Sequence, residues 1–287
     1  MQYKGALILE GGGMRGVYTA GILDYFLEHD IEFTSVYGVS AGALNASNYV
    51  SRQRGRSITT FTRFLGDPRY AGPKYMARNG NYFNIEFVYD EIPNKIIPFD
   101  YETFRKNDTK FYAVVANIST GLPEYMRVTD LEKEMHIVQA SASLPILSTP
   151  VIIDGQMYLD GGICDSIPLK RSQMDGNTKN VIILTQDRYF VKKPASDLRM
   201  SKALYGKKYP KFYRAHENRH NMYNEQTRYV FENEELGNAF VIAPEKPVDI
   251  DRLENSASKM WKWYAIGYED AKKNHEAMVE YLEKVPK

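Results

Sequence analysis

Short apolar runs alternate with amphipathic stretches along most of the chain. Residues 6–9 (Ala-Leu-Ile-Leu) have the length and bulk of a buried strand. A glycine-rich turn follows over residues 11–16. Ala20, Leu23 and Leu27, joined by Ile22 and Phe26, then set an apolar face at helical spacing. Residues 34–39 repeat the strand pattern and residues 41–50 the helical one. Further strands are predicted at 111–118, 123–128, 151–153, 157–159, 181–184 and 240–242. Ser119-Thr120-Gly121 turns the first two of these into a hairpin, and Asp154-Gly155 does the same for the next two. Residues 130–143 read as a helix capped by Asp130 or Thr129, with Pro145 just beyond its end. Strands alternating with helices predict a mostly parallel sheet covered on both faces.

Two regions break this rhythm. Residues 66–110 mix glycine and proline with many Tyr, Phe and Asn, and read as an irregular insertion with short elements. Such a segment suits either a lid or wall of an apolar pocket, or a plain surface loop. From Arg188 to Arg214 the chain turns basic, with six Tyr or Phe interleaved and Asp197 as the one acid. Residues 213–229 then read as a highly charged helix. Residues 256–284 read as a polar one with an aromatic cluster at Trp261, Trp263 and Tyr264. There is no internal repeat, linker or low-complexity tract.

Composition narrows the function classes. The chain has 287 residues, 43% hydrophobic and 25% charged, the balance of one large globular domain spanning 1–287. A net charge of +1 gives no global field for nucleic acid, so no nucleic-acid partner is expected. The single cysteine, Cys164, excludes an intramolecular disulfide and a cysteine-based zinc site, and fits a reducing compartment. Met1-Gln2-Tyr3-Lys4 runs straight into the first strand without the apolar run of a signal peptide, so a cytoplasmic location is expected. No stretch approaches the ~18 apolar residues of a spanning helix. No metal-ligand spacing such as H-E-x-x-H occurs, and neither metal nor organic cofactor is expected.

Three motifs carry chemistry. Gly38-Val39-Ser40-Ala41-Gly42 fits G-x-S-x-G between a predicted strand and a predicted helix. Gly38 and Gly42 remove side chains from a tight crossing, so that the Ser40 hydroxyl projects above the sheet at a helix start. Gly11-Gly12-Gly13-Met14-Arg15-Gly16 is a glycine-rich turn whose amides can cradle an anion, such as the oxyanion of a tetrahedral intermediate. Gly11, Gly13 and Gly16 also satisfy the dinucleotide fingerprint G-x-G-x-x-G. That reading wants an acidic residue at the end of the second strand, where Gly38-Val39-Ser40 stands instead. Asp160-Gly161-Gly162 puts a carboxylate at a strand end with room for the backbone to turn. A nucleophilic serine needs such a base.

These motifs, in this order, resemble the patatin-like phospholipase family. Its G-G-G-x-[RK]-G loop corresponds to Gly11 through Gly16, its elbow to Gly38 through Gly42, and its D-G-[GA] motif to Asp160 through Gly162. Ala140-Ser141-Ala142-Ser143-Leu144-Pro145 looks like the helix end preceding that last motif. The recognisable core covers about 5–170, with 171–287 as the C-terminal part of the same domain. The resemblance implies a three-layer α/β/α sandwich and a Ser40–Asp160 dyad. It further implies an acyl-enzyme cleared by water, and oxyanion donors near Gly12, Gly13 and Met14. Lipid or small acyl esters are the implied substrates. An acyltransferase using the same acyl-enzyme, or a non-catalytic lipid-binding protein, are the neighbouring readings.

The histidines are the test of a Ser-Asp-His triad. His216 and His220 follow the acid in chain order but lie in the charged helical stretch, while His29 reads as facing water or capping the first helix and His136 as structural. The dyad is therefore preferred. The basic segment 188–214 suits peripheral contact with an anionic membrane, or else a solvated face paired with acids elsewhere. Oligomeric state has no signature in the sequence.

Overall fold

The structure, a computed structural model, describes residues 2–284. Strand β1 (Gln2–Leu9) leads through the glycine turn into α1 (Gly16–Glu28), and β2 (Glu32–Val39) into α2 (Ala41–Val50). Helices α3 (Arg56–Thr62) and α4 (Pro73–Asn79), a π-type helix over Phe87–Ile96 and α5 (Tyr101–Lys106) follow. The short elements expected in this segment are thus helices. Pro93 lies inside the π-type turn, so the proline that hid this element from the helical pattern is accommodated by its wider hydrogen-bonding.

The hairpin β3 (Lys110–Asn117) and β4 (Leu122–Val128) leads to α6 (Leu131–Ser141). Asp130 holds the capping position but makes no side-chain cap. Glu134 caps instead, accepting the amides of Thr129 at 2.6 Å and Asp130 at 2.9 Å. The second hairpin is β5 (Val151–Ile153) and β6 (Gln156–Asp160). Then come α7 (Leu169–Met174), β7 (Asn180–Ile183), α8 (Leu198–Tyr205), α9 (Pro210–Glu235), β8 (Phe240–Ile242) and α10 (Ala257–Glu283).

The sheet is mixed α/β in character and mostly parallel at its centre. β1 pairs in parallel with β2 and β7, β2 with β3, and β7 with β8, while β4, β5 and β6 pair antiparallel. Alternation along the strands feeds two cores. Leu7 and Leu9 face one layer with Val181 and Ile183, packed under α1, α2, α6 and α10. Ala6 and Ile8 face the other with Ile182 and Leu184, under α7 and α9. Gly21 and Gly267 let α1 and α10 touch through their backbones. A Cβ on Gly267 would lie 2.1 Å from the Tyr18 carbonyl.

Strand β3 settles where the candidate residues meet. β4 pairs with it along its whole length, from Phe111 to Asn117. Its other edge is shared. β2 occupies it as far as Val39 opposite Val114, and β6 takes over with Asp160 opposite Val115. Where β2 turns out of the sheet at Ser40, Asp160 fills the adjoining place.

Candidate active site

Ser40 sits at the turn between β2 and α2 with φ 55° and ψ −122°, a conformation strained for any residue with a side chain. The strain is held by close packing. A Cβ on Gly42 would lie 2.4 Å from the Leu9 carbonyl oxygen, and one on Gly38 would lie 2.6 Å from the Ala43 Cα. The end of α6 pins the turn from the other side. Ser141 Oγ accepts the Ser40 amide hydrogen at 2.9 Å, and the Ser143 carbonyl accepts the Asp160 amide hydrogen at 2.8 Å. One helix terminus therefore fixes both residues, which the sequence quotes as Ala140 to Pro145 without revealing their part.

Asp160 is buried. Its Oδ1 accepts the Gly162 amide hydrogen at 2.8 Å, and Oδ2 has no closed hydrogen bond. Burial raises its pKa above the ordinary carboxylate value. Arg219, the adjacent Ser40 hydroxyl and the Gly162 amide oppose that rise. Gly161 lets the chain turn beneath it, since a Cβ there would lie 2.1 Å from the Val114 carbonyl oxygen.

The glycine turn lies against Ser40. A Cβ on Gly11 would come within 2.9 Å of the Val39 carbonyl oxygen and 3.0 Å of the Ser40 Cβ. Among the described residues the amides of Gly12 and Gly13 make no intramolecular hydrogen bond, so both remain available as donors. Met14 differs from expectation. Its amide hydrogen goes to the Arg252 carbonyl at 3.2 Å, which takes it out of the donor set of this conformation. Arg15 donates its amide to Gly12, and Gly16 donates to Gly13 and Met14, so neither adds a free donor. Gly16 instead packs α1 on α2, where its Cβ would lie 2.9 Å from that of Ala41.

Two cavities open from Ser40. The first is apolar, lined by Met14, Leu44, Phe61, Tyr70, Phe83 and Val88 among others. It adjoins a second apolar space with which it shares Leu44, Phe61, Tyr70, Val88 and Tyr89. Part of the 66–110 segment is thus a pocket wall. The other cavity is polar and holds Ser40, Asp160, Glu10 and the glycine turn, together with Arg15, Lys192, Arg219 and Arg252. Among the described residues no histidine lines these cavities.

Four of the five histidines have partners elsewhere. His216 Nδ1 meets Ser201 Oγ at 2.8 Å, and its Nε2 lies 3.6 Å from Asp197 Oδ1. This set has the residue types of a triad but the reverse arrangement, with the serine on Nδ1, and Ser201 is fully buried; it locks α8 onto α9. His29 Nδ1 pairs with the Tyr25 carbonyl, His275 with the Tyr25 hydroxyl, and His220 with the Glu217 carbonyl. Among the described residues no group of His, Cys, Asp and Glu is arranged to hold a metal ion.

The model of the family described as "Patatin-like phospholipase" matches residues 7–171. The chain belongs to the patatin-like phospholipase family. A second model, described as "Domain of unknown function (DUF6363)", matches residues 209–283, beyond the patatin-like region. Among curated relatives, "Uncharacterized protein YjjU" of Escherichia coli (strain K12) is 30% identical over 63% of this chain and 51% of its own length. "Lysophospholipase NTE1" of Meyerozyma guilliermondii is 26% identical over 59% of this chain and 12% of its own. "Probable lipid hydrolase 463L" of Invertebrate iridescent virus 6 is 26% identical over 62% of this chain and 67% of its own. The chain thus spans about half of the first of these relatives and a small part of the second. Among solved structures, VipD from Legionella pneumophila aligns with a TM-score of 0.47 and 14% identity over 96% of this chain and 67% of its own. Among the described residues no helix is long and apolar enough to cross a membrane.

Site residues beyond the patatin-like match had no local motif. Arg219 did have a spacing signal. Phe212, His216, Tyr223, Val230 and Asn233 are the buried positions of α9, and Arg219 falls in the same three-and-four-residue rhythm. A cation on the inward stripe of an otherwise polar helix marks a buried polar site. Lys192 and Arg252 lie in irregular segments and carried no comparable signal.

Proposed function

We propose that this patatin-like protein is a lipid acyl hydrolase in which Ser40 is the nucleophile and Asp160 its base. The observation that carries the reading is the shared edge of β3. There the strained turn at Ser40 and the end of β6 bring the hydroxyl and a buried carboxylate side by side. Hydrogen bonds of this kind are commonly loose before substrate binds, which fits the open Oδ2.

In the first step Ser40 Oγ bonds to the ester carbonyl carbon while its proton passes to Asp160. The carbonyl oxygen becomes an oxyanion held by the free amides of Gly12 and Gly13. Collapse breaks the bond to the alcohol oxygen, which takes the proton from Asp160 and leaves. Water then gives a proton to Asp160 and its oxygen to the acyl carbon. The Oγ–acyl bond breaks, Ser40 recovers its proton and a fatty acid departs. The apolar cavity and the apolar space beside it take the acyl chain, so chains longer than acetyl are preferred.

Residues 171–287 are read as part of the same catalytic unit. β7 and β8 extend the sheet, α10 packs along α1, and Arg252 closes over the glycine turn. Peripheral contact with anionic lipid through 188–214 is part of the proposal. Arg188 is used internally, in an ion pair with Glu234 at 2.5 Å. Lys207, Lys208 and Lys211 make no ion pair among the described residues. The test is turnover of p-nitrophenyl esters of increasing chain length and of a lysophospholipid. The expected result is a rate that rises with chain length and vanishes in Ser40→Ala. Retained turnover in a folded Ser40→Ala protein would remove the proposal.

A further inference from the structure

The apolar side of the site holds one charge that acyl transfer does not use. The second apolar space has walls of Leu44, Tyr89, Ile92, Phe99 and Met135 among others, and Arg56 lines it with them. Arg56 is only 7% exposed and makes no ion pair within 4.0 Å among the described residues. Its Nη1 donates to the Ile97 carbonyl and, at 3.3 Å, to the Pro98 carbonyl. Its Nε is buried with no partner, and its Nη2 makes no hydrogen bond among the described residues. Its Cζ lies 5.2 Å from the centre of the Phe99 ring. Burial brings the guanidinium down to about 10, with the Tyr101 phenol opposing, so it stays charged at neutral pH. Tying down two carbonyls takes donors but no charge. A buried cation without a counter-ion is costly, and a neutral side chain would make the same clamp at lower cost.

Helix α2 sets the distance between this cation and the serine. Ser40 stands at the start of α2, and Leu44, one turn on, walls both apolar cavities. Ser47 and Asn48, a further turn on, line the second cavity and not the first. Asn48 is eight residues beyond Ser40, about 12 Å along the helix axis. Its Nδ2 donates to Ser57 Oγ at 2.9 Å, which fixes the start of α3, and Arg56 with it, at that level. A linear chain bonded at Ser40 and laid along α2 therefore passes apolar walls first and meets Arg56 at its far end.

We propose that Arg56 forms the far end of the acyl site, and that the preferred acyl group is a linear chain ending in a carboxylate, as in the half-ester of a dicarboxylic acid. The proposal rests on the reading of Ser40 as the nucleophile and adds the class of acyl group to it. A plain alkyl chain would fill the apolar walls and leave Arg56 without a counter-ion. A terminal carboxylate supplies one. Nε and Nη2 form the edge of the guanidinium left without partners, and paired donors of that kind match the two oxygens of a carboxylate. The steps at Ser40 are those already given, and the acid released is a dicarboxylic acid.

The matched pair of substrates is p-nitrophenyl hydrogen suberate and p-nitrophenyl octanoate, which have the same chain length and differ only in the terminal carboxylate. The wild-type protein favours the first in kcat/KM. Arg56→Gln, which keeps a donor for the two carbonyls, lowers that preference by roughly 10–100-fold, mainly through KM. Arg56→Lys, which keeps the charge, retains most of it, and Lys272→Met, on the exposed face of α10, leaves it as it was. An unchanged preference in Arg56→Gln would overturn the proposal. So would an equal loss on both substrates, which would make Arg56 a clamp for residues 97 and 98 and nothing more. Half-esters from succinate to sebacate locate the anion. The preference appears once the chain is long enough to reach Arg56, and a preference already full at succinate would place the anion at the serine end and overturn the assignment. Calorimetric binding of monomethyl suberate to Ser40→Ala reads the subsite without turnover. Binding that weakens on adding Arg56→Gln keeps the subsite even if the hydrolase reading falls. No binding, or binding that Arg56→Gln leaves unchanged, removes the subsite even if Ser40 is the nucleophile.

Discussion

Ser141 Oγ accepts the Ser40 amide hydrogen at 2.9 Å and passes its own hydrogen to the Val114 carbonyl at 2.7 Å. One hydroxyl therefore ties the strained turn to the strand beside it. All of this is buried, so removing the hydroxyl leaves an amide and a carbonyl short of a partner. Ser141→Ala is expected to cost about 1–3 kcal/mol in a urea titration and to lower kcat. Wild-type stability and rate together would mean that packing alone sets the turn.

Gly42 has no room for a methyl group, because Leu9 O would lie 2.4 Å from it and the obstacle is backbone. Gly42→Ala is expected to lose about 1–3 kcal/mol of stability as β1 is pushed aside. The same shift would pull Gly11 away from Ser40, so turnover falls further than the folded fraction does. Thermal melts paired with active-site titration measure both. A variant matching wild type in each would contradict the close crossing.

The acid limb of the pH profile follows from Asp160. A base must be ionised, so activity rises with pH through its pKa, which burial places above the usual carboxylate range. Arg219 pulls that pKa down. Arg219→Gln is therefore expected to move the acid limb of kcat/KM to higher pH. Arg219→Lys, which keeps the charge, should restore much of the shift. A limb at the same pH in both variants would mean that Asp160 does not set it.

His216 separates a dyad from a triad. Its partners are Ser201 and Asp197, and burial lowers its pKa, the nearby Asp197 working the other way. His216→Ala is expected to cost about 1–3 kcal/mol of stability while folded protein keeps wild-type kcat. Loss of turnover in the folded variant would bring histidine back into the mechanism.

The lysines after α8 are the test of membrane contact. Met200 and Leu204 are 54% and 53% exposed on that helix, next to Lys207, Lys208 and Lys211. Replacing the three lysines by glutamine is expected to weaken binding to phosphatidylserine vesicles by about 1 kcal/mol each, measured by co-sedimentation. Equal sedimentation of variant and wild type would remove the membrane face.

What the sequence disclosed and what it withheld divide by the range of the interactions. Apolar runs announced the strands, and the glycines around Ser40 announced a tight crossing, because both depend on neighbours a few residues away. Helix α6 was legible, with Asp130 or Thr129 read as its cap; Asp130 does hold the capping position, but the capping hydrogen bonds go to Glu134. The π-type helix over Phe87–Ile96 was hidden by Pro93, which breaks the ordinary helical pattern. Ser141, Lys192 and Arg252 reach the site from positions 101 or more residues from Ser40 in sequence, and no local spacing encodes that. The Met14 amide looked free in the motif, but a carbonyl from residue 252 occupies it.

The most direct test of the Ser40–Asp160 pairing is the rate of covalent labelling by a fluorophosphonate, followed by peptide mapping. The predicted result is one adduct on Ser40 in the wild type and none in Ser40→Ala. In folded Asp160→Asn, labelling slows by roughly 10²–10⁴-fold. Labelling of another residue, or an Asp160→Asn protein that reacts at the wild-type rate, would contradict the pairing.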